Sequence, residues 1–412
     1  MRKDWIECCF EDLLDYEQPT KYIVESTDYN DSFETPVLTA GKSFIKGYTD
    51  ETEGIFDNLP TIIFDDFTTA SQFVNFKFKV KSSAMKILVP TSELVNMDFA
   101  YYAMQVNQIR SDTHKRYWIS VYAKKKFLLP PLVEQKAIVA KIEELFSDLD
   151  KGIADLKKAQ DQLKIYRQSV LSSSFPKKEL MELSKLVPSL SQGWSPKCIN
   201  QNSSDETQWA VIKTSAIQAG RFVDFENKIL PKSLEPREQH EIKIGDILIT
   251  RAGPRVRVGI CCLVRNTRPR LINCDKVYRL ILDRDQVDGE YFEYVMNSPE
   301  ILSEIEVMKS GTSDSGLNLT QKAFLKLRIP YVPLEQQRQI VRKIESRLSV
   351  CDKVEQSITE SLEKAKALRQ SILKKAFEGT LLSAEEIAAC KAVPDYEPAS
   401  VLLEKIKEEK KK

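Results

Sequence analysis

The chain has 412 residues, with 61 Lys and Arg against 60 Asp and Glu and a formal net charge of +1. This length exceeds one ordinary domain and predicts about two to four units. The balanced charge excludes a histone-like or acidic-tail protein, and 42% hydrophobic residues suffice for packed cores. No apolar run approaches the ~18 residues of a membrane span, and the N-terminus lacks a signal-peptide core. We therefore expect a soluble, cytoplasmic protein.

Residues 1–130 are predicted to form a mixed α/β domain, with strands at 61–67 and 75–80 and a short helix at 98–104. The run from Phe76 to Lys81 alternates strictly between apolar and basic residues. As a strand it would present Lys77, Lys79 and Lys81 in a row on one face. Such a row suits contacts with phosphates, but it also suits an ordinary soluble surface.

A second basic cluster in this domain mixes charges with aromatic rings, at His114, Lys115, Arg116 and Tyr117, followed by Trp118. Rings and charges together can contact bases or stack on them. The alternative is that Tyr117 and Trp118 pack into the core at the end of a strand.

Residues 131–176 and 331–379 are two copies of one long helix, because residues 127–175 align with 329–377 at a constant offset of 202. Apolar residues recur at steps of three and four in both copies, as in the seam of a coiled coil. Pro131 and Pro333 mark the predicted starts, and Pro176 and Gly379 the stops. Each helix of ~44 residues would be about 65 Å long. We expect the copies to pair with each other, the alternative being that each pairs with another chain.

Residues 177–330 are predicted to form a second, more diverged α/β domain, with strands at 246–250, 258–264 and 276–282. Residues 290–296 match 98–104 of the first domain as a short helix with aromatic residues in corresponding places. Residues 380–412 complete the chain as a charged tail. The fold class is therefore α+β, with two globular domains alternating with two long helices.

Positive charge is concentrated in the second domain, where residues 251–279 hold eight basic residues and one acidic residue, Asp275. A local basic cluster in a near-neutral chain suits a polyanion, and arginine can bind guanine bidentately. Arg251, Arg255 and Arg257 are expected on a turn between strands, although a solvated basic loop is the alternative. The candidate DNA-binding residues of this region are Arg251, Arg255, Arg257, Arg265, Arg268, Arg270 and Lys276.

Catalytic and metal-binding motifs are missing from the sequence. Eight cysteines form no Cys-x-x-Cys pair and only two histidines are present, so zinc-ligand spacing is absent and core thiols are expected. There is no Gly-x-Gly-x-x-Gly after a strand, no Gly-x-Ser-x-Gly and no Asn/Asp-Pro-Pro-Tyr/Phe. The chain is therefore predicted to bind rather than to catalyse.

The motifs around the long helices resemble those of a known family, the specificity subunits of type I restriction-modification systems. Leu129-Pro-Pro-Leu-Val-Glu-Gln135 and Ile329-Pro-Tyr-Val-Pro-Leu-Glu-Gln-Gln337 resemble the segment with which that family begins its helices. Arg-Gln-Ser occurs near both helix ends, at 167–169 and 369–371. Ala376-Phe-Glu-Gly-Thr-Leu381 resembles the closing segment, and Gly245-Asp-Ile-Leu248 the target-recognition domains.

The resemblance implies a DNA-recognition subunit without catalytic activity of its own. Two modification subunits, which bind S-adenosylmethionine and methylate adenine N6, would dock on the helices. Restriction subunits with ATP and Mg²⁺ could complete the complex, so the cofactors belong to partners and none binds this chain. The docking residues implied are Gln135, Lys141, Glu143, Arg167, Gln337, Lys343, Glu345 and Arg369.

Antiparallel pairing of the helices would relate the two halves by a pseudo-twofold axis, so that each globular domain reads one half of a double-stranded DNA target. Because the domains differ, we expect an asymmetric, bipartite target with an unread spacer. Three alternatives remain: a coiled-coil scaffold that binds proteins, an enzyme with an unrecognised site, and the specificity subunit of a methylation-only system.

Overall fold

The computed structural model describes residues 2, 4–39, 44–109 and 116–411, which fold as two compact units. Unit 1 comprises Met1–Leu156 and Glu360–Lys412, and unit 2 comprises Lys157–Thr359. Each unit therefore combines one globular segment with part of each long helix.

The globular part of unit 1 contains three small sheets. Strands β1 and β9 pair antiparallel, a four-stranded antiparallel sheet has the order β2-β8-β5-β6, and a three-stranded sheet has the order β4-β3-β7. The strands are β1 (Ile6–Cys9), β2 (Leu14–Glu17), β3 (Thr35–Leu38), β4 (Ile45–Thr49), β5 (Thr61–Asp65), β6 (Ser71–Val74), β7 (Lys79–Val80), β8 (Met85–Pro90) and β9 (Lys126–Leu129).

Unit 2 repeats these three sheets and adds two short strand pairs, β13-β14 and β17-β21. The repeated sheets are β10-β22, β11-β20-β16-β18 and β15-β12-β19. The strands are β10 (Leu180–Glu182), β11 (Ser189–Gln192), β12 (Ala210–Ile212), β13 (Ile217–Gln218), β14 (Arg221–Phe222), β15 (Asn227–Ile229), β16 (Ile247–Thr250), β17 (Ala252–Gly253), β18 (Cys261–Leu263), β19 (Leu271–Ile272), β20 (Val277–Ile281), β21 (Leu317–Asn318) and β22 (Arg328–Pro330).

The two globular parts share one topology, which confirms that the duplication extends beyond the long helices. In both three-stranded sheets the central strand runs antiparallel to one neighbour and parallel to the other: β3 to β4 and β7, and β12 to β15 and β19. The predicted strands in the second domain are all present, at β16, β18 and β20.

Two long helices dominate the helical content, α3 (Leu132–Ser174, 43 residues) and α8 (Leu334–Phe377, 44 residues), close to the predicted bounds. At the end of α8, Gly379 adopts φ +74° as the predicted stop. The other α-helices are α1 (Phe10–Leu13), α2 (Met97–Val106), α4 (Leu183–Leu186), α5 (Gly289–Met296), α6 (Pro299–Met308), α7 (Gln321–Phe324), α9 (Ala384–Ala392) and α10 (Ala399–Glu409). Short 3₁₀ turns occupy Pro19–Tyr22, Thr214–Ala216 and Glu238–His240, and Trp118–Tyr122 is a π-helix.

In unit 1, the two long helices pack against each other in opposite directions. Ile138 and Ile142 of α3 share a core with Leu373 and Ala376 of α8. Further along α3, Asp150 lies 2.9 Å from Arg369, which precedes Leu373 in α8. As the residue number rises along one helix it falls along the other, so the pairing is antiparallel, as predicted.

Unit 2 contains the equivalent pairing of the remaining parts of α3 and α8. Arg167 lies 2.7 Å from Asp352, and further along α3 Val170 shares a core with Ile344, which precedes Asp352. The predicted apolar seam is mostly covered in both units, although Tyr166, Val354 and Leu368 remain exposed. The helices therefore pair within the chain, as the seam predicted.

The C-terminal residues form structure that the sequence analysis did not predict. Helix α10 places Leu402, Leu403 and Ile406 in the core of unit 1, where all three are buried. Five of the other eight residues of this helix are Glu or Lys, which gives it the composition of a charged tail. The three buried residues form an apolar stripe that fixes the segment to unit 1.

The cysteines are free thiols, and six of the eight are buried. This agrees with the expected core role. No helix in the described part of the chain is both long enough and apolar enough to cross a membrane.

Candidate nucleic-acid interface

The Arg251–Arg257 loop of unit 2 connects β16 to β18, as predicted for a turn between strands. Strand β17 within it pairs with β21, which ties the first half of the loop to the unit. Gly259 closes the loop with φ +97°, and a Cβ atom there would lie 2.6 Å from Cγ2 of Ile305. Both the backbone conformation and the close approach therefore require glycine at this position.

The three arginines of the loop have different surroundings. Arg251 donates from Nε to the carbonyl oxygen of Asp275 at 2.7 Å, and from Nη1 to Asn318 at 2.8 Å. Arg255 is paired with Glu306 and Asp314, and hydrogen bonds to Asp314 and Glu306 raise its pKa.

Arg257 differs from both, because its half-buried side chain makes no hydrogen bond or ion pair with the described residues. It is therefore the arginine of this loop whose donors are available to an external ligand.

The next three arginines of the predicted cluster all bind to other residues of unit 2. Arg265 forms an ion pair with buried Glu293 at 2.7 Å. Arg268 is only 6% exposed and donates to the carbonyl oxygens of Gln208 and Pro269 at 2.9 and 3.0 Å, and burial lowers its pKa. Arg270 donates to the carbonyl oxygen of Thr207. Burial and these bonds give Arg268 a structural role within unit 2, and its place at a DNA interface stays a prediction without geometric support.

Lys276 lies beside three lysines that the sequence analysis did not single out, Lys197, Lys213 and Lys228. All four line one cavity of about 450 Å³ in unit 2. These lysines are far apart along the chain and come from β15, the end of β12 and two loops, so no local run of charge could have revealed them.

In unit 1, the predicted row of lysines is not formed, because the alternating run is not one continuous strand. Strand β7 covers only Lys79 and Val80, and the row is broken because Lys79 points inward. Its Nζ lies 2.9 Å from Glu51, and it is 3% exposed. Lys77, 3.7 Å from Asp57, and Lys81 are exposed and remain candidates for phosphate contacts.

The second cluster of unit 1 follows the core-packing alternative for its aromatic residues. Tyr117 and Trp118 are 7% and 2% exposed, at the start of a π-helix rather than at a strand end. Arg116 is exposed. His114 and Lys115 lie outside the described residues.

The glutamines repeated before the two long helices have matching structural roles. Nε2 of Gln135 donates to the carbonyl oxygen of Pro130 at 2.8 Å, and Nε2 of Gln337 donates to that of Val332 at 2.7 Å. Both side chains are buried. They fix the turn into each helix, which accounts for their repetition without an external partner.

The repeated arginines also bind within the chain. Arg167 pairs with Asp352 and Glu355 in unit 2, and Arg369 pairs with Asp150 in unit 1. Lys141 lies 3.0 Å from Glu144 and 3.9 Å from Glu386 of α9.

Of the predicted docking residues, Glu143, Lys343 and Glu345 present exposed side chains. Glu143 lies in a groove of about 800 Å³ in unit 1, with Tyr101, Tyr102 and Phe146. Burial raises the pKa of Tyr102 to about 12, with a further contribution from Glu143. Burial and the charge of Glu345 likewise raise the pKa of Tyr294 to about 12. The duplication has therefore kept a Tyr–Glu pair in each unit, beside the exposed face of the helices.

The protein is duplicated, and each unit combines a globular α/β part with parts of two paired long helices. One unit also carries an arginine loop. These features can be compared with those of known proteins. A family model described as the type I restriction modification DNA specificity domain matches residues 178–364. The specificity subunit of EcoR124I/EcoR124II from Escherichia coli is 29% identical over 377 residues, covering 87% of this chain and 89% of that protein. Over most of its length the chain is therefore similar to the specificity subunits of type I restriction-modification systems.

Other comparisons agree with this similarity. The EcoEI specificity subunit from Escherichia coli is 36% identical over 176 residues, which is 43% of this chain but only 30% of that protein. A chain from a solved structure of type I restriction-modification complex assembly matches with a TM-score of 0.68 at 18% identity, covering 92% of this chain and 99% of that one. The HsdS subunit from Thermoanaerobacter tengcongensis matches with a TM-score of 0.50, also at 18% identity, covering 92% and 98%. At these identities the structures establish the fold.

Proposed function

We propose that this chain reads a bipartite, asymmetric DNA sequence for a type I restriction-modification complex, with one half-site for each globular part. The observation that carries the proposal is the Arg251–Arg257 loop, a turn held by two strands on which the half-buried Arg257 has a guanidinium without a partner among the described residues. An arginine on such a turn can enter the major groove and bind the edge of guanine. The corresponding part of unit 1 has a different sequence, so the two half-sites should differ.

Methylation and cleavage belong, in this proposal, to partner subunits in the cytoplasm. The modification subunits would bind S-adenosylmethionine, and the restriction subunits would bind ATP and Mg²⁺, while this chain binds the DNA and supplies the sequence address. Similarity to proteins named as specificity subunits over most of the chain supports this division of roles.

Two modification subunits would dock on the helices, one in each unit. The exposed carboxylates Glu143 and Glu345, each beside a half-buried tyrosine, occupy equivalent positions in the two units and support this stoichiometry. Lys343 is exposed next to Glu345 and could form an ion pair with a partner. Gln135, Gln337, Arg167 and Arg369 would act indirectly, by fixing the helices on which the partner docks.

The test is to co-express the chain with its neighbouring methyltransferase and to map the methylated adenines in the host DNA. A single split, asymmetric motif that disappears when this chain is omitted would establish recognition, and would report both half-sites and the spacer. Copurification of the two proteins with no methylated motif would instead identify a scaffold. Cleavage of unmethylated DNA after addition of the restriction subunit would separate a complete system from a methylation-only one.

A further inference from the structure

Unit 2 contains a cavity whose wall is unusually rich in positive charge. Four of its eleven lining residues are lysines, Lys197, Lys213, Lys228 and Lys276, and none of the eleven is acidic. A concentration of like charge around one cavity is unfavourable unless an anion or a carboxylate balances it.

Regular backbone contacts form the floor of this lysine cavity. Lys228 of β15 pairs with Val211 of β12, and Lys213 directly follows β12. On the opposite wall, the amide of Trp194 donates to the carbonyl oxygen of Asn273 at 2.9 Å, which brings the segment around Lys197 against the segment around Lys276. This approach requires Gly193, where a Cβ atom would lie 1.9 Å from that carbonyl oxygen.

Carboxylates of the described residues neutralise little of this charge. Lys213 lies 3.8 Å from Glu226. Lys197, Lys228 and Lys276 make no ion pair within the described part of the chain. Asp275, the nearest acidic residue in sequence, accepts a hydrogen bond from Ser195 at 2.5 Å. Three ammonium groups of the cavity are therefore left for an external anion.

The lysine cavity adjoins the arginine loop through the backbone. The amide of Arg251 donates to the carbonyl oxygen of Lys276 at 2.9 Å, and Nε of Arg251 donates to that of Asp275 at 2.7 Å. The cavity and the loop that carries Arg257 are therefore neighbours in unit 2. An extended anion such as a nucleic-acid backbone could contact both.

We infer that the lysine cavity binds backbone phosphates of the DNA strand that the Arg251–Arg257 loop reads. This inference rests on the proposed function and extends it with three lysines outside the predicted cluster. Ammonium groups bind phosphate as point charges and carry no base preference, so the cavity contributes affinity and register rather than sequence discrimination. The loop supplies the discrimination.

The test compares Lys228→Ala/Lys276→Ala with the control Lys322→Ala/Lys326→Ala, which removes two exposed lysines of unit 2 outside the cavity. Each full-length variant is assembled with its modification subunits, and its affinity for duplex DNA is measured against salt concentration. Each lost phosphate contact should lower affinity about fivefold near 0.15 M salt and reduce the salt slope by about 0.9. The cavity variant should show the same loss of affinity on cognate and on unrelated duplexes. The methylated motif should be unchanged.

Several results would overturn the inference. If the cavity variant and the control had the same salt slope, the cavity lysines would not contact phosphates. If one base position of the methylated motif became less specific, these lysines would instead contact bases. If pyrophosphate raised the melting temperature of the wild type but not of the variant, while DNA affinity stayed equal, the ligand would be a small anion. Wild-type protein that bound no DNA would overturn the proposed function together with the inference.

Lys197→Ala offers a second variant for the case in which the double variant does not fold. Lys197 is exposed in a loop, so its loss should leave the unfolding transition unchanged. It should reduce the salt slope by about 0.9, for one phosphate contact. An unchanged slope in this folded variant would count against the inference.

Discussion

The arginines of unit 2 show how the same residue type serves recognition at one position and structure at another. Arg257 is half-buried and unpaired among the described residues, whereas Arg268, only 11 positions later in the chain, is buried and donates from Nη1 to backbone carbonyls. The hydrogen bonds of Arg268 hold it within unit 2, and a guanidinium without such partners is free to bind a ligand. The two substitutions should therefore affect different measurements.

Arg257→Ala should weaken DNA binding or relax one base position of the second half-site, by about 1–3 kcal/mol for a lost bidentate contact. It should change the free energy of unfolding little, because the side chain makes no hydrogen bond or ion pair with the described residues. Arg268→Ala should instead lower the free energy of unfolding by about 2 kcal/mol, since it removes hydrogen bonds from a charged, buried donor. Binding titrations and denaturant unfolding of both variants check this pair. A loss of base preference without a loss of stability in Arg268→Ala would contradict it.

His240 gives unit 2 a pH dependence of stability. Burial lowers its pKa from the ordinary value of 6.5, with further lowering by Arg237 and Arg279. The unfolded chain therefore binds this proton more readily than the folded chain, and the free energy of unfolding should decrease as the pH falls below about 6.5. Above that pH both states are neutral at His240, and its effect should vanish.

Denaturant unfolding of wild type and His240→Gln between about pH 5 and pH 8 measures this effect. The variant cannot take up the proton, so its curve should be flatter below pH 6.5 and parallel to the wild type above it. Parallel curves over the whole range would show that His240 does not contribute.

For individual residues, the sequence predicted where basic side chains cluster but not which acidic side chains pair with them. The run from 251 to 279 identified the basic region, yet pairing of Arg255 with Glu306 and Asp314 depends on residues some 50 positions away. The alternation around Lys79 predicted an exposed lysine. In the structure Lys79 instead points toward Glu51, because Phe78 forms a β-bridge with Phe56 and strand β7 is only two residues long.

Among the elements, the long helices were the most predictable and the short strands the least. A helix of 43 or 44 residues repeats its apolar period many times, and a second copy doubles the signal. Strands of two to five residues, such as β7 and β19, are too short to show a period of two. The residues therefore indicated the diverged repeat through the matching helices at 98–104 and 290–296, and the strand pairing revealed the common topology of the sheets.

The duplicated arginines of the helix pair offer a matched comparison between the two units. Arg369 pairs with Asp150 and also lies over the ring of Phe146, 4.3 Å from its centroid. Arg167 pairs with Asp352, but the residue equivalent to Phe146 in the other helix is Leu348. Exposed ion pairs contribute about 0.2–1 kcal/mol, and a cation–π contact adds about 0.5–1 kcal/mol.

Arg167 has a second ion pair, with Glu355, in place of the ring contact. Phe146→Leu, which gives the first helix the side chain of the second, should therefore reduce the destabilisation caused by Arg369→Ala and leave that caused by Arg167→Ala unchanged. Denaturant unfolding of the single and double variants measures the coupling. An equal loss for Arg369→Ala with and without the ring would rule out a contribution from Phe146.

Helix α10 should be needed for the stability of unit 1, although its sequence resembles a charged tail. Ile406→Ala removes a side chain that is 1% exposed and should lower the free energy of unfolding by about 2–4 kcal/mol. Val401→Ala, on a position that is 37% exposed, is the matched control and should change it by less than about 1 kcal/mol. Similar effects of the two substitutions on the thermal transition would mean that α10 is not docked as described.

Across the whole molecule, a comparison of the two units shows which structural features are the same and which differ. Both units retain the same sheet topology, the same glutamine at the helix start and the same arginine–aspartate pair between the helices. They differ in the surfaces around the sheets, where unit 2 has the arginine loop and the lysine cavity. A constant frame with variable surfaces is the arrangement expected when two different half-sites must be read by one chain.

Exchange of residues 177–330 for the same segment of another specificity subunit should therefore change one half of the methylated motif and leave the other half intact. Both long helices must be kept from this chain, because each unit contains part of both and the ion pairs Arg167–Asp352 and Arg369–Asp150 depend on them. Mapping of methylated adenines reports the two half-sites separately, and exchange of residues 1–130 is the reciprocal control, which should change the other half. If either exchange altered both halves, recognition would not be divided between the units, since a surface in one of them would then be determining bases in both.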